Sequence, residues 1–362
     1  MGRAFIGHAL VIGAALSGGG SVSCSLHGAC TPGGDGSYVE KPYATLAEYC
    51  MVNIENGDIA PEKGVVPYDE GTPLFSDYAI KRRTVWVPPG TSASYEDDGP
   101  YDFPVGTIVT KSFGFADDMR NPSPVKWLET RVLVRTASGW TGDAYVWDDA
   151  QQQATIKPGG TFRDLSFIEP DGTPITTSYL VPNRNECIKC HENMGAIVPI
   201  GLQTDRLNHD HDYPEGRENQ LAHWSKLGIL SGAPDPATAP SMADWTDTSL
   251  TTETRARAYL EANCAHCHSA TGEARNTGLL LDRDVTEPYR FGVCKTPVAT
   301  GKAASDLSYD VVPGQPDQSI MIYRMESTTP SIMMPEIGRS LVHTEGARVV
   351  RDWISGLPGS CP

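Results

Sequence analysis

The pattern of apolar and polar positions divides the chain into two parts of different character. Through residues 32–180 it consists of short β-runs broken by Pro and Gly. Thr84-Val85-Trp86-Val87 runs into Pro88-Pro89-Gly90, and Gly106-Thr107-Ile108-Val109-Thr110 reads as a further strand. Residues 127–136 and 140–147 predict a hairpin closed around Ser138-Gly139. Strict alternation in Arg131-Val132-Leu133-Val134-Arg135 predicts one wet and one buried face. No helix-period stretch of useful length interrupts this half, so we expect an antiparallel β domain, sandwich-like. Trp86, Trp127, Trp140, Tyr145 and Trp147 read as core and hairpin-pair residues of that domain.

Beyond residue 180 the punctuation changes. Residues 181–232 hold a Cys-x-x-Cys-His motif and a His-rich loop, and residues 233–247, with Pro234, Pro236 and Pro240, read as a linker. A C-terminal module follows over residues 248–362. Thr251-Thr252-Glu253 predicts the start of an amphipathic helix that places Ala256, Tyr259 and Leu260 on one face and runs into Cys264. Pro316-Asp317-Gln318-Ser319 opens another helix. A last one starts at Thr344-Glu345, sets Val350, Trp353 and Ile354 in a stripe, and stops at Gly356.

Charge and the N-terminus narrow the setting. The formal net charge is −16, from 45 acidic and 29 basic residues, which disfavours nucleic acid or anionic lipid and favours a partner with a basic contact surface. Arg3 followed by the apolar stretch 4–16 and the small residues 17–23 reads as a signal peptide over residues 1–23. The apolar run is too short to span a bilayer. Two readings of Cys24 stay open. Acylation would make the protein an outer-membrane lipoprotein with a lipid anchor at Cys24. Ordinary cleavage near Ser23 would leave a thiol or half a disulfide. Either places the mature protein in the periplasm or cell envelope, where we expect Cys294 to pair with Cys361 and Cys30 with Cys50.

The chemistry lies in two pentapeptides, Cys187-Ile188-Lys189-Cys190-His191 and Cys264-Ala265-His266-Cys267-His268. Two intervening residues put both sulfurs on one side of a helical turn, and the next residue turns its imidazole toward a metal. That arrangement suits two thioethers to haem vinyl groups with histidine on the iron. Paired Cys-x-x-Cys units also bind zinc, but here His follows each second Cys and the units lie far apart. We therefore expect two c-type haems, attached at Cys187, Cys190, Cys264 and Cys267, with His191 and His268 as proximal ligands.

Sixth ligands are less evident. For the second haem Met334, in Met333-Met334-Pro335-Glu336-Ile337-Gly338, is the choice on order and spacing, since a thioether raises the potential and suits electron transfer. Met333 is its near competitor and His343 an alternative. For the first haem, Met194 follows His191 too closely. His209, His211 and His223 lie downstream; His223 is preferred because Asn219-Gln220-Leu221-Ala222-His223-Trp224 could be a partly buried helix. His209-Asp210-His211-Asp212 reads as a solvated loop or a separate metal site.

Several of these segments resemble a family of bacterial dihaem c-type cytochromes, most of them conserved proteins of unknown role. The resemblance is carried by Thr72-Pro73-Leu74-Phe75-Ser76-Asp77-Tyr78, Asp102-Phe103-Pro104-Val105-Gly106-Thr107, Leu128-Glu129-Thr130-Arg131 and Pro182-Asn183-Arg184-Asn185-Glu186-Cys187 continuing to His191. It continues in the stretch from Tyr259 to His268, ahead of Met334-Pro335. The C-terminal part is also similar to single-haem cytochrome c domains, including Pro313-Gly314-Gln315-Pro316 and Ser319 ahead of Arg324. The resemblance implies a β-rich part joined to two haem-bearing segments and extracytoplasmic electron transfer, with no substrate. Together these readings predict an α+β protein, an antiparallel β domain followed by a mostly α-helical cytochrome c-like domain. Its expected role is electron transfer between its haems and an extracytoplasmic redox protein, more as a carrier or subunit than as a stand-alone enzyme. The alternative is a dihaem peroxidase-type enzyme with an open first haem.

Overall fold

Alternating side chains between residues 66 and 156 place one face of each strand against a core, and the result is a six-stranded antiparallel sheet. The computed structural model describes residues 30–298 and 300–362; the expected signal peptide and Cys24 lie outside the described residues. The strands are β1 (Val66–Tyr68), β2 (Ile80–Trp86), β3 (Ile108–Phe115), β4 (Lys126–Thr136), β5 (Gly139–Trp147) and β6 (Ala154–Ile156), adjacent in that order. The hairpin expected at Ser138-Gly139 joins β4 to β5, with Thr136 opposite Gly139. A long two-stranded hairpin follows, β7 (Thr161–Ile168) and β8 (Pro174–Val181).

The sheet is covered by unlike partners. Trp127, Val132, Val134 and Tyr145 pack with Tyr38, Leu46, Tyr49 and Met51 from the chain ahead of β1. Val85, Val109 and Trp140 pack with Leu202, Leu207, Leu221 and Trp224, and Phe113, Leu128 and Val146 pack with Phe167 and Tyr179 of the hairpin. The other sheets among the described residues have two strands each, so a single wrapped sheet replaces the expected sandwich. The face read as wet is also not simply solvated. Its Arg131 stands opposite Lys111, which in turn stands opposite Arg83, and Arg131 and Lys111 line an internal cavity.

After β8 come α1 (Arg184–His191), α2 (Gln220–Leu227), α3 (Thr252–Leu260), α4 (Ile320–Met325) and α5 (Thr344–Gly356). The expectation of a mostly α-helical C-terminal domain is overturned, because only 22% of the described residues are helical and the fold is mostly β. Its C-terminal module is built of three short helices and long loops. The reason is compositional. Pro288, Pro297, Pro313 and Pro316 interrupt the chain between α3 and α4, and Gly278, Gly292, Gly301 and Gly314 adopt positive φ there. These loops are closed by the Cys294–Cys361 disulfide and the buried Lys295–Asp310 pair at 3.3 Å. Cys30 and Cys50 are each disulfide-bonded. Segment 233–247 is held in place: Asn208 Nδ2 donates to the carbonyls of Pro236, Ala239 and Pro240, and Met242 N–H donates to Asp205.

Helices α3 and α5 cross over a core of Tyr259, Leu260, Phe291, Val350, Trp353 and Ile354. The crossing depends on Gly346, where a β-carbon would run into the Tyr259 ring. Gly346→Ala is therefore expected to destabilise the protein by about 1–3 kcal/mol, read as a lowered denaturation midpoint. An unchanged midpoint would mean that the helices can part there without loss.

Candidate haem-binding site

The first motif is set by local capping. Asn183 accepts the N–H groups of Asn185 and Glu186, and Glu186 accepts the Asn183 N–H at 2.8 Å, a capping box that starts α1 three residues ahead of Cys187. Arg184 ties the helix to β5 through Asp143 at 2.6 Å. Beyond His191 a tight turn at Met194-Gly195, both with positive φ, brings Val198 back beneath the ring. His191 Nδ1 donates to the Val198 carbonyl at 2.7 Å, which leaves Nε2 as the ligating nitrogen.

The second motif follows the predicted helix. Thr251 caps α3 by accepting the Thr254 N–H, and α3 passes directly into a π-helical turn, Glu261–Ala265, that carries Cys264. The chain then folds back over the motif, with Ala274 N–H on the Cys267 carbonyl, at a point where any side chain on Gly272 would meet the Cys267 backbone. The Leu279 carbonyl acts on the His268 ring, although Nδ1 has no hydrogen-bond partner of normal geometry.

Residues 74 positions apart in sequence are thus brought side by side at Cys190 and Cys264. Cys267 Sγ lies 3.7 Å from the Lys189 carbonyl, Met194 N–H donates to Thr271, and Asn193 bridges Gly272. Each motif opens on its own cavity. One, of about 1340 Å³ counted out to its mouth, is bordered by Cys187, Cys190 and His191 together with Lys111 and Arg131 of the sheet. The other, of about 940 Å³, is bordered by Cys264, Cys267, His268, Met321 and Met334. Cys190, Cys264, His266 and Met334 border both.

This donor set fits two c-type haems. The four motif cysteines are free thiols, and burial pushes Cys190 up to about 11 and Cys264 up to about 12. Burial likewise pushes His191 and His268 down to about 4, so both rings are neutral and able to bind a metal. The sheet adds a cationic floor to the first cavity. Glu70 answers Arg83 at 3.1 Å and Glu129 answers Arg131 at 2.6 Å. Lys111 between them rests only near the Phe113 ring, and burial followed by the charge of Arg83 brings it down to about 7. An anionic group such as a haem propionate would relieve that row.

Met334 is held by its backbone. Its N–H donates to Arg324 at 3.0 Å, and its carbonyl accepts from Arg339, whose buried guanidinium also serves the carbonyls of Arg324, Met325, Ser327 and Leu341. Asp77 holds the same loop from outside, accepting the N–H groups of Ser340 and Leu341 at 2.7–2.9 Å. Sequence reasoning did not find these two positioning residues. Asp77 lies in the Thr72–Tyr78 signature, which joins the N-terminal part to the second motif. Phe75 N–H donates to Asn263 Oδ1 at 2.7 Å, Phe75 stacks on His343 at 4.1 Å, and Tyr78 donates to Glu345 at 2.7 Å.

His223 is in the buried helix expected of it, on α2, but borders neither cavity. Its Nδ1 is 2.8 Å from Glu218 Oε2 and its ring stacks on Tyr213 at 3.6 Å. His209 and His211 bracket Asp69 at 3.2 and 3.1 Å. His343 borders the first cavity, with Nδ1 3.1 Å from the Tyr259 hydroxyl. Met333 borders neither cavity, and Met325 borders both from within the α4 core. No family model, curated protein or solved structure matches the chain.

Proposed function

We propose that the protein is an exported dihaem c-type cytochrome that exchanges electrons between two covalently held haems and an extracytoplasmic redox partner. The observation that carries this reading is the adjacency of the two Cys-x-x-Cys-His motifs, each opening on a cavity whose wall the other shares. Haem supplies reversible one-electron exchange at its iron. The chain's own part is to hold and tune it. Cys187 and Cys190, and Cys264 and Cys267, provide thioether anchors, and the Val198 carbonyl keeps His191 in one tautomer. Lys111 and Arg131 offer cations to propionates, and Met334 provides a thioether that raises the second potential. The resemblance to dihaem cytochromes supports the same reading, and the charge of −16 suits a partner with a basic face.

The test is a pyridine haemochrome assay and potentiometric titration of protein matured by a c-type haem attachment system. Two haems per chain and two separate reduction waves are expected. A single haem would sink the reading, and equal potentials would remove its directional form. Peroxide turnover at a five-coordinate first haem would move the protein to the peroxidase-type alternative.

A further inference from the structure

We propose that His266, between the two cysteines of the second motif, is the second axial ligand of the haem held by the first motif. This rests on the dihaem reading and extends it, since it completes the coordination of the first iron with a residue from the other attachment site.

The argument begins with the turn. In Cys-x-x-Cys-His both sulfurs and the last imidazole claim one side, so an intervening residue is directed elsewhere. In this fold the first motif packs alongside the second: Cys267 Sγ is 3.7 Å from the Lys189 carbonyl, and Asn193 pairs with Gly272. His266 borders the cavity that Cys187, Cys190 and His191 border.

One nitrogen of this imidazole is unpartnered: among the described residues the His266 Nδ1 is buried with no hydrogen-bond partner. Buried polar atoms normally have a partner, so this imidazole on the cavity wall fits a role toward the group the cavity would hold. His268, a proximal ligand by its motif, shows the same orphaned Nδ1. The other histidine on this cavity, His343, is engaged at both nitrogens and on its face: the Tyr259 hydroxyl meets Nδ1 at 3.1 Å, Glu345 Oε2 lies 3.8 Å from Nε2, and Phe75 stacks on the ring at an interplanar angle of 8°. His223 lies away from the cavity and is bound to Glu218.

Two imidazoles make the first iron six-coordinate and low-spin, at a lower potential than a His/Met iron. No position is left for peroxide or a small gas, so this ligand favours a carrier over a catalyst. One residue also joins the sites, with His266 on the first iron and Cys267 anchoring the second haem.

The experiment uses the full holo-protein and compares wild type with His266→Ala, His343→Ala and His223→Ala. Haem content is measured alongside EPR of the oxidised form and carbon monoxide binding to the reduced form. Wild type should carry two haems, both low-spin. His266→Ala should keep both haems, convert one low-spin signal to high-spin and bind one carbon monoxide per chain. Added imidazole should restore the low-spin signal. Two unchanged low-spin signals in His266→Ala overturn the proposal, as does the high-spin conversion arising in His343→Ala or His223→Ala instead. Fewer than two haems in wild type would overturn the dihaem reading itself, a distinct failure. If His266→Ala does not accumulate, near-infrared magnetic circular dichroism of wild type decides: one bis-histidine and one His/Met iron support the proposal, and absence of the bis-histidine band overturns it.

Discussion

Met334→Ala should lower the midpoint potential of the second haem by on the order of 200 mV, a fraction of the roughly 0.8 V over which axial ligands act. The reason is local and chemical. The backbone at Met334 is held from both sides, by Arg324 through its N–H and by Arg339 at its carbonyl, so truncation removes the thioether while the loop keeps its course. On the dihaem reading, loss of that thioether would remove the stabilisation of the reduced iron that sulfur provides. Spectroelectrochemistry should show the higher of two waves moving down and the lower one staying. Because Met334 borders both cavities, the wave that moves identifies the haem it serves. A shift of the lower wave would reassign Met334 to the first haem, and two unmoved waves would remove it as a ligand. Met333→Ala is the control, since that side chain borders neither cavity.

Asp77→Ala should destabilise the protein by about 2–4 kcal/mol and weaken the Met334-dependent signature in the same sample. The carboxylate accepts N–H groups from Ser340 and Leu341, and its loss leaves both half-buried donors unpaired. Part of the gain from those bonds is already offset, because burial raises the Asp77 pKa against the pull of the Leu341 and Ser340 amides. That offset keeps the expected loss near the lower end of the range. In a chain of this size it corresponds to a fall in the thermal midpoint of roughly 3–5 °C. Asp77→Asn retains one acceptor oxygen and should recover about half of the loss. Equal stability of wild type and Asp77→Ala would show that the loop at residues 339–341 is held by Arg339 alone.

What could be read along the chain was local. The Cys-x-x-Cys-His motifs are pentapeptides, and the cap at Thr251 and the last helix, Thr344–Gly356, depend on residues within a turn or two of one another. Alternation over 131–135 marked strand β4, because a period of two reports which side chains share a face. Alternation cannot report what covers that face. Arg131 therefore read as a wet residue and turned out to border a cavity. In the same way burial of His223 was foreseeable from its helix, but its commitment to Glu218 and Tyr213 was not.

The sequence by itself determined the two Cys-x-x-Cys-His pentapeptides, the antiparallel β character of the N-terminal half and the helix starts, all of which arise from near neighbours in the chain. Tertiary structure alone decided three things. It turned the helical C-terminal domain into loops tied over short helices. It made Thr72–Tyr78 a clamp on residues up to 267 positions away. It set His266 beside the first motif. Each depends on pairs far apart in the chain, whose meeting is governed by the packing of the whole core and leaves no periodic trace in the sequence.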